Sequence, residues 1–375
     1  MYGSSIGKVL KITTWGESHG KGIGVVVDGC PAGLPLSEEY IQTFLNRRKP
    51  GQTCYSTPRK ENDSVEILSG IFEGKTTGTP ISLIVRNESQ RSKDYSEIAN
   101  FYRPGHADFT FDAKYGFRDY RGGGRSSGRE TIGRVAAGAI ACALLETLHI
   151  QVTAYTKSIG PYICHTDTLY PCRTLTDCIQ ARNESPLGMP DANASLAAEQ
   201  YLASQMEQGD SAGGMIECVI SNVPAGLGDP VFDKLDANLA KAIFSIGAVK
   251  GFELGDGFAS ATSTGTTNND SFYIADGVPK KCTNHAGGIL GGISDGSDIV
   301  FRAAVKPTPS ISSIQKTINR SGENISVSIK GRHDPIIVPR AIVVVEAMAA
   351  LTVADALLAN MSAKTDYVKQ VYEIE

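Results

Sequence analysis

The sequence predicts an α+β fold built as one large domain over residues 1–375. Strand-like runs are interspersed with helical patterns along the chain, and two long segments place apolar residues every three or four positions. No linker rich in glycine, serine or proline divides the sequence into halves. A chain of 375 residues could hold two domains at about 150 residues each, but the missing linker favours a single intertwined domain.

The N-terminal part is predicted to begin with a β-hairpin. Its strands cover residues 8–14 and 23–28, and the polar residues 15–21 form the loop between them. Ser37 is placed to cap a short helix that ends at Asn46, because its hydroxyl can accept a hydrogen bond from a free N–H group of the first turn. Further strands are expected over residues 67–72 and 81–85.

Hydrophobic periodicity predicts two long helices. The first begins at Ser127, and Glu130 three residues later completes the signature of a capping box. Its apolar residues share one face, as their spacings require: Ile132, Val135, Ala136, Ala139, Ile140, Ala143, Leu144 and Leu148. The second helix is expected over about residues 340–361, and a shorter one over residues 194–208.

Composition argues against several classes of protein. The 36 Lys and Arg against 40 Asp and Glu give a net charge of −4, whereas a dedicated nucleic-acid-binding protein usually carries a basic surplus. The most apolar stretch, residues 341–359, is interrupted by Glu346 and Asp355, so no membrane-spanning helix is expected. The N-terminus lacks the apolar core of a signal peptide. Eight cysteines without a C-x-x-C pair indicate reduced thiols and a cytoplasmic location.

Several catalytic motifs are rejected because the residues around them do not fit the structure or the spacing that each motif requires. Residues 16–20 match the G-x-S-x-G pattern of serine hydrolases, but a strand instead of a helix is predicted to follow. Neither a P-loop nor the glycine-rich turn of a dinucleotide-binding fold is present. The histidines lack the spacing of metal ligands, so no metal site is expected. His19, His106, His285 and His333 instead lie beside glycine, arginine or proline, where an imidazole suits proton transfer next to an anion.

The densest cluster of charge precedes the first long helix. Residues 118–129 carry four arginines around three consecutive glycines and two serines, namely Arg118, Arg121, Arg125 and Arg129. A helix N-terminus favours an anion, and guanidinium groups bind phosphate or carboxylate through paired hydrogen bonds. Further basic clusters lie at residues 47–49, 59–60, 103–106 and 332–333 of a chain that is acidic as a whole. Together they predict a ligand with more than one negative group.

Long motifs extend over nearly the whole chain. In the N-terminal half they are residues 13–20 (TTWGESHG), 28–36 (DGCPAGLPL), 47–51 (RRKPG), 103–108 (RPGHAD), 114–116 (KYG) and 118–127 (RDYRGGGRSS). In the C-terminal half they are residues 209–214 (GDSAGG), 248–251 (AVKG), 284–292 (NHAGGILGG), 306–308 (KPT) and 331–335 (GRHDP). In this order and with these residues, the chain closely resembles the chorismate synthase family.

The resemblance implies an enzyme of the last common step of the shikimate pathway. In that step 5-enolpyruvylshikimate 3-phosphate loses phosphate and a ring proton by an anti 1,4-elimination and becomes chorismate. The reaction has no net redox change, yet the family requires reduced FMN, which some members obtain with NADPH. The resemblance also implies a β-α-β sandwich, with antiparallel sheets and packed helices, and a homotetramer. Two carboxylates and a phosphate on the substrate suit the arginine clusters.

Site residues are implied by the matching motifs. His19 resembles the acid that protonates the leaving phosphate, His106 resembles the group that protonates or orients the reduced flavin, and Asp334 resembles the carboxylate that assists proton removal through flavin N5. The implied flavin contacts are Arg125, Ser126, Ser127, Gly247, Ala248, Gly291, Lys306, Pro307, Thr308, Pro309, Ser310 and Arg332. The implied anion contacts, on the substrate or on NADP, are Arg48, Arg59, Arg103 and Arg129.

Two positions depart from the family pattern. Cys54 stands where the family usually has arginine, and a thiol cannot supply a cationic fork. Arg59 and Lys60 are therefore expected to cover its contact. Gly247 stands where some relatives carry a polar residue, so that any side-chain contact there is lost.

Two other functions are also compatible with the residues. A non-enzymatic binder of polyanions such as RNA would use arginine clusters too, and its binding would fall steeply with salt. A flavin reductase is the other alternative, because the sequence does not decide whether the chain reduces its own flavin or depends on an outside supply.

Overall fold

A computed structural model describes residues 3–56, 62–87, 97–121, 123–329 and 334–373. The α-helices within these residues are α1 (Glu38–Arg48), α2 (Asp108–Tyr115), α3 (Thr131–Glu146), α4 (Leu175–Glu184), α5 (Ala192–Glu207), α6 (Leu235–Phe244), α7 (Gly265–Asn268), α8 (Val338–Ala359) and α9 (Thr365–Val371). The strands are β1 (Ser5–Ile6), β2 (Lys11–Gly16), β3 (Gly22–Asp28), β4 (Val65–Ile67), β5 (Ile71–Phe72), β6 (Lys75–Thr76), β7 (Ile81–Arg86), β8 (Gln151–Ile159), β9 (Tyr162–Ile163), β10 (Gly214–Ser221), β11 (Val249–Leu254), β12 (Phe272–Ala275), β13 (Val278–Lys281), β14 (Ile289–Leu290), β15 (Ile293–Ser294), β16 (Ile299–Val305), β17 (Gln315–Ile318) and β18 (Asn324–Val327).

Two antiparallel sheets form the outer layers of the fold. Sheet one has the strand order β1-β2-β3-β7-β4, and sheet two has the order β11-β16-β10-β8-β9. Helix α3 packs on β2, β3 and β7 of sheet one, α8 packs on β8 and β10 of sheet two, and the two helices pack on each other. This layering confirms the expected α+β fold and its β-α-β sandwich.

The core lies where the central helices meet the sheets. Ile23, Val25 and Val27 alternate along β3 and are at most 1% exposed, as the two-residue period of a strand requires when one face is covered. Helices α3 and α8 approach closely at Gly138, where an added Cβ would lie 2.2 Å from the Cβ of Ala347. A side chain at position 138 would therefore push the two central helices apart.

The two charges that interrupt the apolar stretch of α8 have structural partners. Glu346 is 3% exposed, and its carboxylate accepts hydrogen bonds from Arg182 at 2.8 Å and from the backbone N–H of Ala154 at 3.0 Å. The Arg47 guanidinium lies 2.6 Å from the other oxygen of the Glu346 carboxylate and forms a second ion pair with it. Asp355 accepts hydrogen bonds from three consecutive backbone N–H groups of the turn before β2, those of Lys8, Val9 and Leu10.

The C-terminal helical region has the length and composition of a membrane span. It runs over residues 338–362, and 67% of its most apolar window is buried inside the protein. Burial against sheet two and the neighbouring helices accounts for its apolar composition, since a helix that is apolar on all sides is typical of the core of a large domain.

Most predicted elements of the first sheet are confirmed. Strands β2 and β3 form the expected hairpin, and the Ser37 hydroxyl caps α1 by accepting a hydrogen bond from the N–H of Tyr40 at 3.3 Å. The predicted strand over residues 67–72 is wrong. Gly70 adopts a φ of +84° and turns the chain, so two short strands, β4 and β5, take its place.

The long helices are confirmed with different beginnings. Helix α3 starts at Thr131 after a short 3-10 turn, and Ser127 caps that turn by accepting a hydrogen bond from the N–H of Arg129 at 3.3 Å. The predicted capping box is wrong, because Glu130 turns towards Arg134 and accepts a hydrogen bond from it at 2.8 Å. Helices α5 and α8 match the other predicted helices, whereas α2, α4, α6, α7 and α9 were not predicted.

Candidate active site

Five segments meet beside the start of α3 and form what we call the candidate site. They are the turn of residues 16–20 after β2, the loop of residues 103–106 before α2, residues 123–129, residues 247–250 around the start of β11, and residues 306–310 after β16. Direct contacts join them. The Lys306 ammonium donates to the Gly105 carbonyl at 2.6 Å, and the Arg125 guanidinium donates to the Gly16 carbonyl at 3.2 Å.

A buried carboxylate orients His106. The Nδ1 atom of His106 lies 3.0 Å from the carboxylate of Asp108, which is 3% exposed and also accepts hydrogen bonds from the Arg103 guanidinium at 2.8 Å. Burial alone would raise the pKa of the Asp108 carboxyl, but the hydrogen bonds from Arg103 and His106 outweigh it and hold that pKa well below its usual range. Asp108 therefore stays ionised. Its carboxylate lies 3.0 Å and Nη2 of Arg103 lies 3.1 Å from Nδ1 of His106, so both partners face Nδ1 and Nε2 is the nitrogen left to react.

The reactive side of the His106 ring faces glycine. A Cβ placed on Gly123 would lie 3.1 Å from Cε1 and 3.3 Å from Nε2 of His106. Gly123 also has a φ of +83°, which favours glycine, and the Ser126 hydroxyl donates to its carbonyl at 2.7 Å. Glycine at this position therefore keeps space over the imidazole and lets the chain turn into α3.

Two lysines form the cationic part of the site on sheet two. Burial lowers the pKa of the Lys306 ammonium group, and the like charge of Lys250 lowers it further. Among the described residues no carboxylate lies within ion-pairing distance of Lys306 or Lys250. Lys250 lies at a β-bulge between β11 and β16, a feature that redirects a side chain, and the preceding Ala248 has the strained φ of +73°.

The loop of residues 306–310 is fixed from beneath. The Lys306 N–H donates to the Ala248 carbonyl at 2.9 Å, and the Ser211 hydroxyl donates to the Thr308 carbonyl at 2.8 Å. The Thr308 hydroxyl is buried without a hydrogen-bond partner in the part of the chain that the structure describes. The structure therefore brings together the sequence-predicted residues His106, Ser126, Ala248 and Lys306 to Ser310.

His19 lies on the turn that joins β2 to β3. The N–H of Gly20 donates to the Glu17 carbonyl at 3.1 Å, which closes the turn, and the buried Ser18 hydroxyl lies 3.2 Å from Nδ1 of His19. Asp119 is nearby. The Arg121 guanidinium lowers the pKa of the Asp119 carboxyl, and the charge of His19 acts in the same direction.

Arg125 is bound along the end of β2. Its guanidinium donates to the Thr14 hydroxyl at 2.7 Å and to the Gly16 carbonyl, and Glu130 lies 3.8 Å away. A cavity of about 1000 Å³ borders it, and its lining includes the aromatic side chains of Phe111, Tyr115 and Phe117. A volume of this size suits a ligand as large as a nucleotide.

Three of the predicted anion contacts, Arg48, Arg103 and Arg129, are ion-paired. Asp63 is 3% exposed and lies between two arginines, with its carboxylate 2.5 Å from Arg48 and 3.2 Å from Arg129. Arg48 is itself only 1% exposed, and its carbonyl accepts a hydrogen bond from Arg340, which binds Asp334 at 2.6 Å. Arg103 is paired with Asp108. These arginines lie below the surface of the site, where their ion pairs hold its segments together.

Some predicted residues lie elsewhere. Gly291 belongs to the loop that precedes β16, whereas Lys306 follows β16, and seven extended residues separate the two ends by about 20 Å. Arg59, Lys60, Arg332 and His333 lie outside the described residues. Within the described ranges no group of three or more His, Cys, Asp or Glu side chains could hold a metal ion.

Sequence reasoning missed four residues that build the site. Asp108 stands two positions after His106 in the motif of residues 103–108, and its spacing is a signal for a partner of the imidazole. Lys250 stands in the motif of residues 248–251. Asp63 and Asn87 lie in polar stretches without a motif, and the contacts that they make with Arg129 join distant segments.

Comparisons with known proteins agree over the full length. The profile of the family described as chorismate synthase matches residues 10–358. Proteins named chorismate synthase from Lachnoclostridium phytofermentans and Agathobacter rectalis are 70% and 64% identical to this chain, and each match covers 100% of both sequences. One from Methanosarcina mazei is 54% identical over 96% of this chain and 97% of that protein. A crystal structure of chorismate synthase superposes with a TM-score of 0.77 at 33% identity, over 98% of this chain and 97% of that one.

Proposed function

This chain belongs to the chorismate synthase family, the carbon–oxygen lyases of the last common step of the shikimate pathway, and from that premise we propose which of its residues carry the elimination. The observation that supports the assignment is the meeting of His106, Ser126 and Lys306 beside the turn of His19. The overall reaction breaks the C–O bond to phosphate and one ring C–H bond, so it needs an acid at the leaving group and a base at the ring.

His19 is the acid. It lies on a tight turn at the rim of the site, and a protonated imidazole there would give its proton to the departing phosphate. Asp334 is the carboxylate at the other reacting position, where it would assist removal of the ring proton with the flavin in place. Arg340 holds that carboxylate at 2.6 Å and is itself fixed by the Arg48 carbonyl.

The residues present suit reduced FMN as the cofactor. Lys306 and Lys250 are close enough to repel each other and have no ion-paired carboxylate among the described residues, and the Thr308 hydroxyl is a buried donor without a partner. A phosphate and a polyhydroxyl chain would satisfy these groups. A Cβ on Gly247 would meet no atom within 4 Å, which leaves room for a flat ring.

When bound, reduced FMN supplies an electron-rich ring that can lend charge to the substrate and take it back, in keeping with the absence of net redox change. His106 then protonates or orients the reduced ring, since Asp108 fixes its Nδ1 and leaves Nε2 to act. Arg125, Ser126, Ser127, Ala248 and the loop of residues 306–310 are the flavin contacts. Arg48, Arg103 and Arg129 support the anion-binding face of the site from below, through their ion pairs with Asp63 and Asp108.

The chain acts as one catalytic domain in a cytoplasmic homotetramer. Buried apolar residues from both sheets form one continuous core, which supports a single domain. The β12–β13 hairpin exposes Phe272, Tyr273, Ile274 and Val278, and so large an apolar patch is typical of a subunit interface. The loop of Gly291 lies at the opposite end of β16 from Lys306, and we assign it to the flavin site of a neighbouring copy of the chain. Light scattering of the purified protein tests the tetramer.

The decisive experiment is anaerobic turnover of 5-enolpyruvylshikimate 3-phosphate. Phosphate and chorismate should form in equal amounts when reduced FMN is added, and neither should form without it. His106→Ala should lower that turnover by roughly 10²–10⁴, the usual contribution of a general acid or base. Unchanged turnover in His106→Ala would remove its catalytic role. Turnover with oxidised FMN and NADPH alone would show that the chain also reduces its own flavin.

A further inference from the structure

The side chain of Asn87 holds both ends of the turn that carries His19. Its amide nitrogen donates to the Glu17 carbonyl and to the Gly20 carbonyl, each at 2.9 Å. Its backbone N–H also donates to the Lys21 carbonyl at 3.2 Å. Because the hydrogen bond from Gly20 to Glu17 closes the β-turn that carries His19, one carboxamide binds both ends of that β-turn.

The other half of the carboxamide is bound by Arg129. The Asn87 carbonyl oxygen accepts hydrogen bonds from Nε of Arg129 at 3.1 Å and from Nη2 at 2.8 Å. Arg129 in turn lies 3.2 Å from the buried carboxylate of Asp63, whose other oxygen binds Arg48. The turn of His19 is thus connected to the start of α3 by hydrogen bonds, and from there to the end of α1 by the buried ion pairs of Asp63 with Arg129 and Arg48.

We propose that Asn87 is a positioning residue for His19, and this rests on the role proposed for His19 as the acid at the leaving phosphate. Only a primary amide offers two donors on one side and an acceptor on the other, as this place requires. Catalysis depends on geometry at this scale, since a displacement of about 1 Å of a reacting group can cost about 10²-fold in rate.

Asn87→Asp separates the two halves of the contact. An aspartate keeps an acceptor for Arg129, but it loses both donors and places a negative oxygen beside two carbonyl oxygens. The turn of His19 should therefore loosen while the arginine stays bound. Asn87→Ala removes both halves without adding a charge, and it serves as the second variant where Asn87→Asp does not fold.

Asn222 offers a matched control, because its amide also binds the backbone of a turn that carries a histidine. The amide of Asn222 donates to the His149 carbonyl at 2.9 Å, in a turn between α3 and β8 that contributes no segment to the candidate site. Asn222→Asp makes the same chemical change there. Asn222→Asp should loosen the turn that carries His149 and leave turnover at the wild-type value.

Two measurements test the proposal. Hydrogen exchange followed by mass spectrometry, on the protein without added flavin, should show faster exchange confined to peptides that cover residues 15–22 in Asn87→Asp. Anaerobic turnover with reduced FMN should show kcat lowered about tenfold or more and KM within about threefold of wild type. A merely structural role would spread the exchange and would not separate kcat from KM in this way.

Opposite outcomes overturn separate claims. Wild-type exchange in residues 15–22 together with wild-type kcat in Asn87→Asp or Asn87→Ala would refute the positioning role. If exchange in the turn rises but kcat stays within twofold, the turn is held by Asn87 without consequence for catalysis, and the proposal fails as well. Full activity of His19→Ala would instead refute the proposed role of His19, whatever the Asn87 variants show.

Discussion

Replacing Asp108 with asparagine should affect both stability and catalysis through one buried carboxylate. Arg103 and Asp108 are 5% and 3% exposed, and the carboxylate accepts hydrogen bonds from Nε and Nη2 of that arginine, each at 2.8 Å. Removing one partner of a buried ion pair costs about 3–5 kcal/mol, because the other charge is left uncompensated. Asparagine retains one acceptor, so we expect about 3 kcal/mol in the free energy of unfolding.

The catalytic effect should pass through His106. Without a carboxylate 3.0 Å from Nδ1, the imidazole loses the buried negative charge that orients it and holds Arg103 beside it. We expect kcat with reduced FMN supplied to fall by about 10², the lower end of the contribution of a general acid or base. In a double-mutant cycle, Asp108→Asn should lower kcat little further once His106→Ala is present. Independent effects of the two substitutions on kcat would refute the reasoning.

The pH dependence of stability gives a second check on Asp108. Its folded-state pKa is depressed, so its contribution is present above the pKa of an unfolded aspartate, about 3.9, and is lost as the pH falls through the folded-state value. Urea unfolding should therefore show a constant gap between wild type and Asp108→Asn from pH 8 to about pH 5, and a shrinking gap below about pH 4. Glu66→Gln, which breaks the exposed pair with Arg86, serves as the control and should change little at any pH.

Four further outcomes are expected. Gly138→Ala should lower the free energy of unfolding by about 1–3 kcal/mol, because the new methyl group overlaps α8, and thermal unfolding measures it. Glu346→Gln should cost about 3–5 kcal/mol in urea, since it leaves two arginines without their buried carboxylate. Arg125→Ala should weaken FMN binding by about 1.5–3 kcal/mol in a flavin titration, and equal affinity would make its role structural. Burial raises the pKa of the Cys30 thiol to about 11, so brief alkylation of the native protein should spare it and the other buried cysteines and modify the exposed ones, Cys54, Cys172 and Cys282.

Local patterns predicted the elements whose causes are local. The cap at Ser37, the β2–β3 hairpin and the apolar faces of α3 and α8 each follow from residues within a few positions of one another. Helix α2 escaped prediction because only one of its residues, Asp108, is buried, so it carries little apolar periodicity. The helix places that aspartate 3.0 Å from Nδ1 of His106. Hydrophobic periodicity carries no information about such a polar contact.

The roles of the arginines could not be predicted from charge alone. Arg48 and Arg129 stand in basic clusters that indicate an anion site, yet Asp63 lies between them and neutralises much of that charge inside the protein. Asp63 has a φ of 47°, in the left-handed region that aspartate tolerates better than most residues, and nothing in its sequence neighbours points to the two arginines. A basic cluster therefore indicates a place that binds negative charge. That charge can belong to a ligand or to a carboxylate of the chain itself.

Motifs likewise do not show which segments lie together in space, and Gly291 is an example. Residues 284–292 and 306–308 are close in sequence and both belong to the family pattern, which suggests that one flavin touches both. Strand β16 separates them, however, and its seven residues carry the chain about 20 Å from one end of sheet two to the other. Lys281 then fixes the glycine-rich loop at the far end through Asp295 at 2.7 Å and Asn284 at 3.1 Å. If Gly291 contacts the flavin from a neighbouring copy of the chain, flavin affinity should fall when the protein is diluted until its subunits separate.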